Sequence, residues 1–327
     1  MAIRGRYWFS ALCLCLTAGN AISAEYPERP LRLVVGQAPG GASDIVARAF
    51  AQALGIELGQ NVVVDNRTGA GGTIGAAIAA QAAPDGYTIL LGTNGPIAIA
   101  PHVMQKLEYQ VERDFAAVGL FSQVPYLVVV NPSVPARSLK ELVDLARATP
   151  GKLQFGSSGL GGTPHLCVEL LRNITGIDML HIPYRGGAPA QIDLIAGRIQ
   201  VYCAGFPALG AHVRAGKLRA LVVTATERAK LMPELPTSGE AGVPGFVVSA
   251  WNGILAPAKT PPAIIRRLYT ALERAANTPA FEKELRSRGV EKLVLDPAAY
   301  TVFIRNESEK WRKVIDEQRR TGSRPGR

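Results

Sequence analysis

The feature that most constrains this chain is a rhythm. Short apolar, β-branched runs alternate with helical periodicity: LRLVV before a helical 44–55, NVVV before 74–82, then YTILLGT and a loop. Strands that are apolar throughout, without alternation, are buried on both faces, as in a mostly parallel sheet covered by helices. The rhythm resumes with helix SLKELVDLARAT, strand KLQFGSS, helix PHLCVELLRNIT, strand DMLHIPY, helix APAQIDLIAG, strand IQVYCA, a helix near 207–215 and strand LRALVVTA. Ser138 with Glu141 forms a capping box, and Pro150-Gly151 ends that helix. Thr163-Pro164 opens the next helix, and Gly176 stops it. Three more helices are expected at 262–277, 279–288 and 297–317.

Two longer strand-like stretches bracket the second series: FAAVGLFSQVPYLVVVNPS, interrupted at Pro125, and FVVSAWNGILAPAKTPP. A chain that leaves one α/β unit by one long strand and returns by another makes two lobes with a double hinge. The expected division is 25–125 plus 251–327 for the first lobe and 126–250 for the second, with bending near Pro125-Tyr126 and Ala250-Trp251. A chain of 327 residues is long for a single core, which agrees with two domains.

The first residues carry Arg4 and Arg6 and no acid, then the apolar ALCLCLTAG and the small-residue tail AISA. That pattern predicts a secretory signal over 1–24, cleaved after Ala24, and hence an exported protein. Cys13 and Cys15 leave with it. Cys167 and Cys203 remain in a compartment that permits a disulfide, but spacing does not fix connectivity, so two buried thiols are the default. Without Arg4 and Arg6 the 36 basic residues become 34 against 26 acids, a net charge of +8. The bases are dispersed and few aromatics lie among them, which argues against nucleic-acid binding and supports a mild attraction for anions.

Glycine turns recur where strands run into helices: PGGASD (39–44), TGAGGTIG (68–75) and GSSGLGGTP (156–164). In a parallel sheet such loops gather along the carboxyl edge, where ligands bind. Each helix start offers unpaired N–H groups and the positive end of a dipole, and glycine lets backbone approach a ligand. Three such loops suit a carboxylate or other small anion. Asp44 opposes an anion, so it braces its loop or receives a ligand hydroxyl or amine. The run from Gly69 to Gly75 lacks the GxGxxG spacing of a nucleotide site. Neither Ser157 nor Ser158 sits in GxSxG, and no acid is spaced to orient His165. His102, His165, His181 and His212 show no metal-ligand spacing, and no cofactor is expected. His165 either faces the cleft as a neutral donor or is simply satisfied elsewhere.

Seven blocks in order carry a resemblance over essentially the whole mature chain: APGGASDIVAR, GAGGTIGAAIAAQAAPDGYTILLGT, VVVNPSVPARSLKELVDLAR, FGSSGLGGTPHLCVELL, IPYRGGAPAQIDLIAGRI, ATERAKLMPELPTSGEAGVPGF and WNGILAPAKTPP. Together they resemble the Bug family of periplasmic solute-binding proteins, the TctC-like receptors of tripartite tricarboxylate transporters. The resemblance implies a type II periplasmic-binding fold, two mostly parallel sheets joined by two crossover strands, closing on a small carboxylate. It implies a monomeric, non-enzymatic receptor in the periplasm, with permease subunits as partners. Its ligand positions fall on Gly40, Gly41, Ser43 and Asp44, on Gly72 and Thr73, and on Ser157, Ser158, Thr163 and His165. Thr93, Asn94, Tyr184 and Arg185 are further candidates. The family has an aromatic and a proline before its first glycine loop; this chain has Gly36-Gln37-Ala38-Pro39, which predicts a selectivity of its own. Rival readings are an exported hydrolase using Ser157 or Ser158 with His165, and a sensory module that signals to a membrane kinase.

Overall fold

The computed structural model describes residues 26–320 except 41 and 185; the expected signal segment, the tail TGSRPGR, Gly41 and Arg185 lie outside them. The first series is β1 (Leu31–Val35), α1 (Ala42–Leu58), β2 (Val62–Asn66), α2 (Thr73–Ala80) and β3 (Thr88–Gly92). A π-helical turn (Gly95–Ile99) and two one-turn helices, α3 (Ala100–Val103) and α4 (Val111–Asp114), lead into the long β4 (Phe115–Val130). The second series is α5 (Leu139–Ala148), β5 (Gln154–Ser157), α6 (Thr163–Thr175), β6 (Leu180–Pro183), α7 (Gly187–Ile195), β7 (Val201–Gly205), α8 (Phe206–Arg214) and β8 (Arg219–Val223). The chain returns through β9 (Ser249–Pro257) and finishes with α9 (Pro262–Ala276), α10 (Pro279–Ser287), β10 (Glu291–Leu295) and α11 (Pro297–Arg320).

One sheet runs β2-β1-β3-β9-β4-β10, the other β6-β5-β7-β4-β8. Strands β1, β2 and β3 are parallel, as are β5, β6 and β7. In each sheet the strand arriving from the other lobe runs against its neighbours: β9 against β3 and β4, and β4 against β7 and β8. Strand β4 changes sheets between two residues. Pro125 still pairs with Ser249 of β9, while Tyr126 already pairs with Gly205 of β7. A proline, having no N–H to give a ladder, suits that junction. Thr224, fully buried, ties both crossovers together: its N–H and hydroxyl meet the Tyr126 carbonyl, and its hydroxyl also donates to the Val248 carbonyl at 2.6 Å.

Two differences from the sequence reading have physical reasons. Residues 291–295, unassigned there, form β10, an edge strand paired only with β4 and only partly buried, so it lacks the apolar signature of a central strand. Cys167 and Cys203 are joined in a disulfide, their Cα atoms 6.3 Å apart, rather than left as thiols. Helix α6 packs over β7, and that layer contact, invisible to spacing, brings them together.

The largest buried cluster is continuous across both lobes, from Val34 and Leu90 in the first to Leu142 and Leu166 in the second, with Trp251 and Trp311 inside it. Helix α11 accounts for much of that continuity. Tyr300 lies at full burial beside Trp251, with ring centroids 5.9 Å apart, while Asn173 at the end of α6 donates to the Val314 carbonyl. The last helix thus packs on both lobes, although the sequence division gave it to the first alone.

Candidate functional site

The first two glycine loops are built on one another. A side chain on Gly36 would put its Cβ 2.7 Å from both Cα and O of Gly72, and one on Gly75 would reach 3.0 Å from the Gly36 Cα. Gly72 caps α2 with φ +97°, a left-handed conformation that favours glycine. Thr73 is buried and its hydroxyl donates to the Ala70 carbonyl at 2.9 Å. Asp44, 1% exposed, accepts from the Gly40 N–H, from Arg48 Nε and from Asn66 Nδ2 at 2.8, 2.9 and 2.8 Å. Burial alone would raise its carboxyl, but those hydrogen bonds outweigh it and hold the group below its ordinary value. The Asp44 carboxylate is therefore a brace that uses the Gly40 N–H. Ser43 stands half-buried one residue before it.

Gln37 lies between these loops and the end of β3. Its Nε2 donates to the buried Thr93 hydroxyl at 3.0 Å and sits 3.2 Å from where a Cβ on Gly72 would be. Asn94 follows, also buried, but both of its side-chain groups go to the hinge. It donates to the Ser249 carbonyl at 2.8 Å and to Glu307 at 3.3 Å, and accepts from the Trp251 N–H at 3.0 Å. Sequence reasoning offered Asn94 to a ligand; the structure spends it on holding β9 and α11 to β3.

The second-lobe loop, 157–162, faces the first lobe: a Cβ on Gly161 would lie 3.6 Å from Val103 at the end of α3. Ser157 is fully buried, with Oγ 2.7 Å from His181 Nε2 while accepting from the Gly159 N–H. Ser158 is half-buried at the loop surface. Thr163 opens α6, and its side chain meets the Tyr126 phenol at the crossover. Burial pushes that phenol up to about 12, so it stays protonated. His165 points inward. It is 4% exposed, its Nδ1 accepts from the Gly161 N–H at 3.2 Å, and its Nε2 lies 3.7 Å from Glu169. Tyr184 is half-buried; its N–H donates to the Ser157 carbonyl and its phenol to Asp193 at 2.8 Å.

Of the sequence candidates, Ser43 and Ser158 are half-buried on their loops, while the Thr93 and Thr163 side chains each meet a neighbouring side chain, Gln37 and Tyr126. Ser157, Asp44, Asn94 and His165 are buried and hydrogen-bonded within the protein. Ser157 and His165 are not paired: the buried Ser157 Oγ meets His181, and the His165 nitrogens meet Gly161 and Glu169. Sequence reasoning missed Tyr126, Thr224 and His181 as builders of the site. Their partners are set by strand register, as where Phe155 of β5 pairs with His181 of β6, and no spacing announces them. Among the described residues no helix is long and apolar enough to cross a membrane, and no group of three His, Cys, Asp or Glu is placed to hold a metal ion.

Known proteins share this fold. A family model described as "Tripartite tricarboxylate transporter family receptor", TctC, matches residues 46–319. Protein BugT of Bordetella pertussis is 37% identical over 305 residues, covering 92% of this chain and 94% of BugT. A solved R. palustris protein with adipate superposes with a TM-score of 0.81 at 35% identity, covering 89% of this chain and 98% of that one. MatC of Rhodopseudomonas palustris, solved with bound malate, gives 0.76 at 31% identity, covering 89% of this chain and 100% of that one.

Proposed function

The chain belongs to the TctC family of tripartite tricarboxylate transporter receptors, and from that premise we propose that it is exported to the periplasm. There it captures a small carboxylate between its lobes and hands it to membrane subunits of such a transporter, without altering it chemically. The observation that carries this reading is that glycine loops open helices in both lobes, Gly72 before Thr73 at α2 and Gly162 before Thr163 at α6, with the second-lobe loop turned toward Val103 of the first. Backbone N–H groups and hydroxyls of that kind suit a carboxylate, whose negative charge the helix ends favour.

Adipate and malate in the similar proteins point to the class of ligand, and Gln37 sets this chain apart within it. Placed against Gly72 and Thr93, its amide offers a polar wall where the family has a flat apolar one. Hinge bending about Pro125 and Ser249 brings the lobes together, and the ligand favours the closed state by its extra contacts there.

A thermal-denaturation screen of the mature protein, unfolded and refolded to strip carried-over ligand with its disulfide kept oxidised, tests the proposal. The panel holds mono-, di- and tricarboxylates, including adipate and malate, with amino acids and aromatic acids. A ligand at a hundred times its dissociation constant adds about 2.7 kcal/mol, which at this size lifts the midpoint by about 4 °C. A selective rise with the compound recovered unchanged is the expected result. No rise with any carboxylate, or recovery of a cleaved compound, sinks the receptor reading.

A further inference from the structure

Behind the second-lobe loop lies a stack of rings that the proposed function does not itself require. His181 of β6 and His165 in the first turn of α6 face each other with centroids 4.1 Å apart and planes 23° from parallel. Phe155 of β5 closes the stack 4.8 Å from His181. Each histidine holds one part of the loop. His181 Nε2 lies 2.7 Å from Ser157 Oγ, which takes the Gly159 N–H, and His165 Nδ1 takes the Gly161 N–H. Gly159 and Gly161 have φ +128° and +71°, so the loop runs through conformations that need both glycine and an anchor. Ser158 stands between the anchors, and Thr163 follows them.

We infer, on the premise that this loop touches the ligand, that His165 and His181 are positioning residues whose neutral rings hold Ser158 and Thr163 in place to bind it. The role requires neutrality. A protonated His165 has no lone pair at Nδ1 for the Gly161 N–H, and two stacked cations repel. The charged groups around the pair are Glu169, 3.7 Å from His165 Nε2, and Arg172, which pairs with Glu169 at 2.8 Å and with Asp178 at 2.9 Å. Burial, with the charge of Arg172, pushes His165 down to about 4; burial, with the neighbouring His165, does the same to His181. Binding that needs the neutral pair opposes proton uptake, so affinity is full while the pH stays well above about 4, where the free protein's histidines titrate, and falls as the pH approaches that value.

The test uses adipate as probe, with affinity measured by calorimetry from pH 7.5 to 4 in the parent, in His165→Asn, in His181→Gln and in the double variant. Asparagine puts an amide oxygen where Nδ1 sits and glutamine puts its amide where Nε2 sits, so the hydrogen bonds survive and the titration does not. The expected result is that the conservative variants stay within about threefold of the parent at pH 7.5, while His165→Ala and His181→Ala weaken binding roughly tenfold. At pH 4, where each histidine of the free protein is about half protonated, the parent loses roughly twofold to fourfold more affinity than the double variant, because protonation of adipate is common to both. A double variant whose pH profile overlays that of the parent overturns the inference, as do alanine variants that bind like the parent. If adipate does not bind the parent, the carboxylate selected by the denaturation screen replaces it; where that screen selects none, it is the receptor reading that fails, and amide hydrogen exchange still decides the loop assignment. Loss of protection at Gly161 in His165→Ala and at Gly159 in His181→Ala supports it; unchanged protection at both overturns it.

Discussion

At the scale of single residues, Gly36 shows how little freedom the site has. Its hydrogen stands where any Cβ would press on the Gly72 backbone at 2.7 Å, and backbone cannot swing aside as a flexible side chain can. Gly36→Ala is expected to cost about 1 to 3 kcal/mol, read as a lower midpoint in chemical denaturation, and to weaken ligand binding by parting the first two loops. An alanine variant as stable as the parent would mean the loops are not packed this way. Some of this was legible: the glycine turns announced close backbone approach, and the sign of Asp44 argued for a brace. What could not be read was who pairs with whom. Asn94 looks like a loop-end polar residue in sequence, yet its partners Ser249, Trp251 and Glu307 are more than 150 residues away. His165 left two readings open until burial and the Gly161 N–H decided between them.

At the scale of elements, the alternation of apolar runs and helical stretches located every central strand, because strands covered on both faces must be apolar throughout. It failed at β10, whose single neighbour asks less of it. It also set the start of the return strand too early: Phe246 and Val248 are fully buried, yet pairing with β4 begins only at Ser249. Buried apolar residues can belong to an irregular segment as well as to a strand, so composition alone could not separate them. The disulfide links α6, the helix that opens from the binding loop, to β7 across a separation of 36 residues. Closing a loop of that length is worth about 3 to 4 kcal/mol in the chain-entropy account. The double replacement Cys167→Ala with Cys203→Ala is expected to lose about that much stability in urea denaturation while leaving ligand affinity within about threefold. No change in stability would mean the native bond is already offset by strain or by structure in the unfolded chain.

At the scale of the whole molecule, two lobes are joined by more than their crossovers. Thr224 ties the crossovers to each other, and α11 lies along the first lobe and on α6 of the second, with Trp311 fully buried in the shared cluster. Trp311→Ala is expected to cost about 3 to 5 kcal/mol as a large core truncation. Small-angle scattering should then show a larger radius of gyration without ligand in the variant than in the parent. Equal radii would show that α11 does not restrain the lobes. The position of this helix also has a practical use. Lys313, largely exposed, sits one residue before the Val314 carbonyl that meets Asn173. A cysteine placed there and labelled with an environment-sensitive dye would sit on the seam itself, so the protein's own closing stroke would become a change in emission.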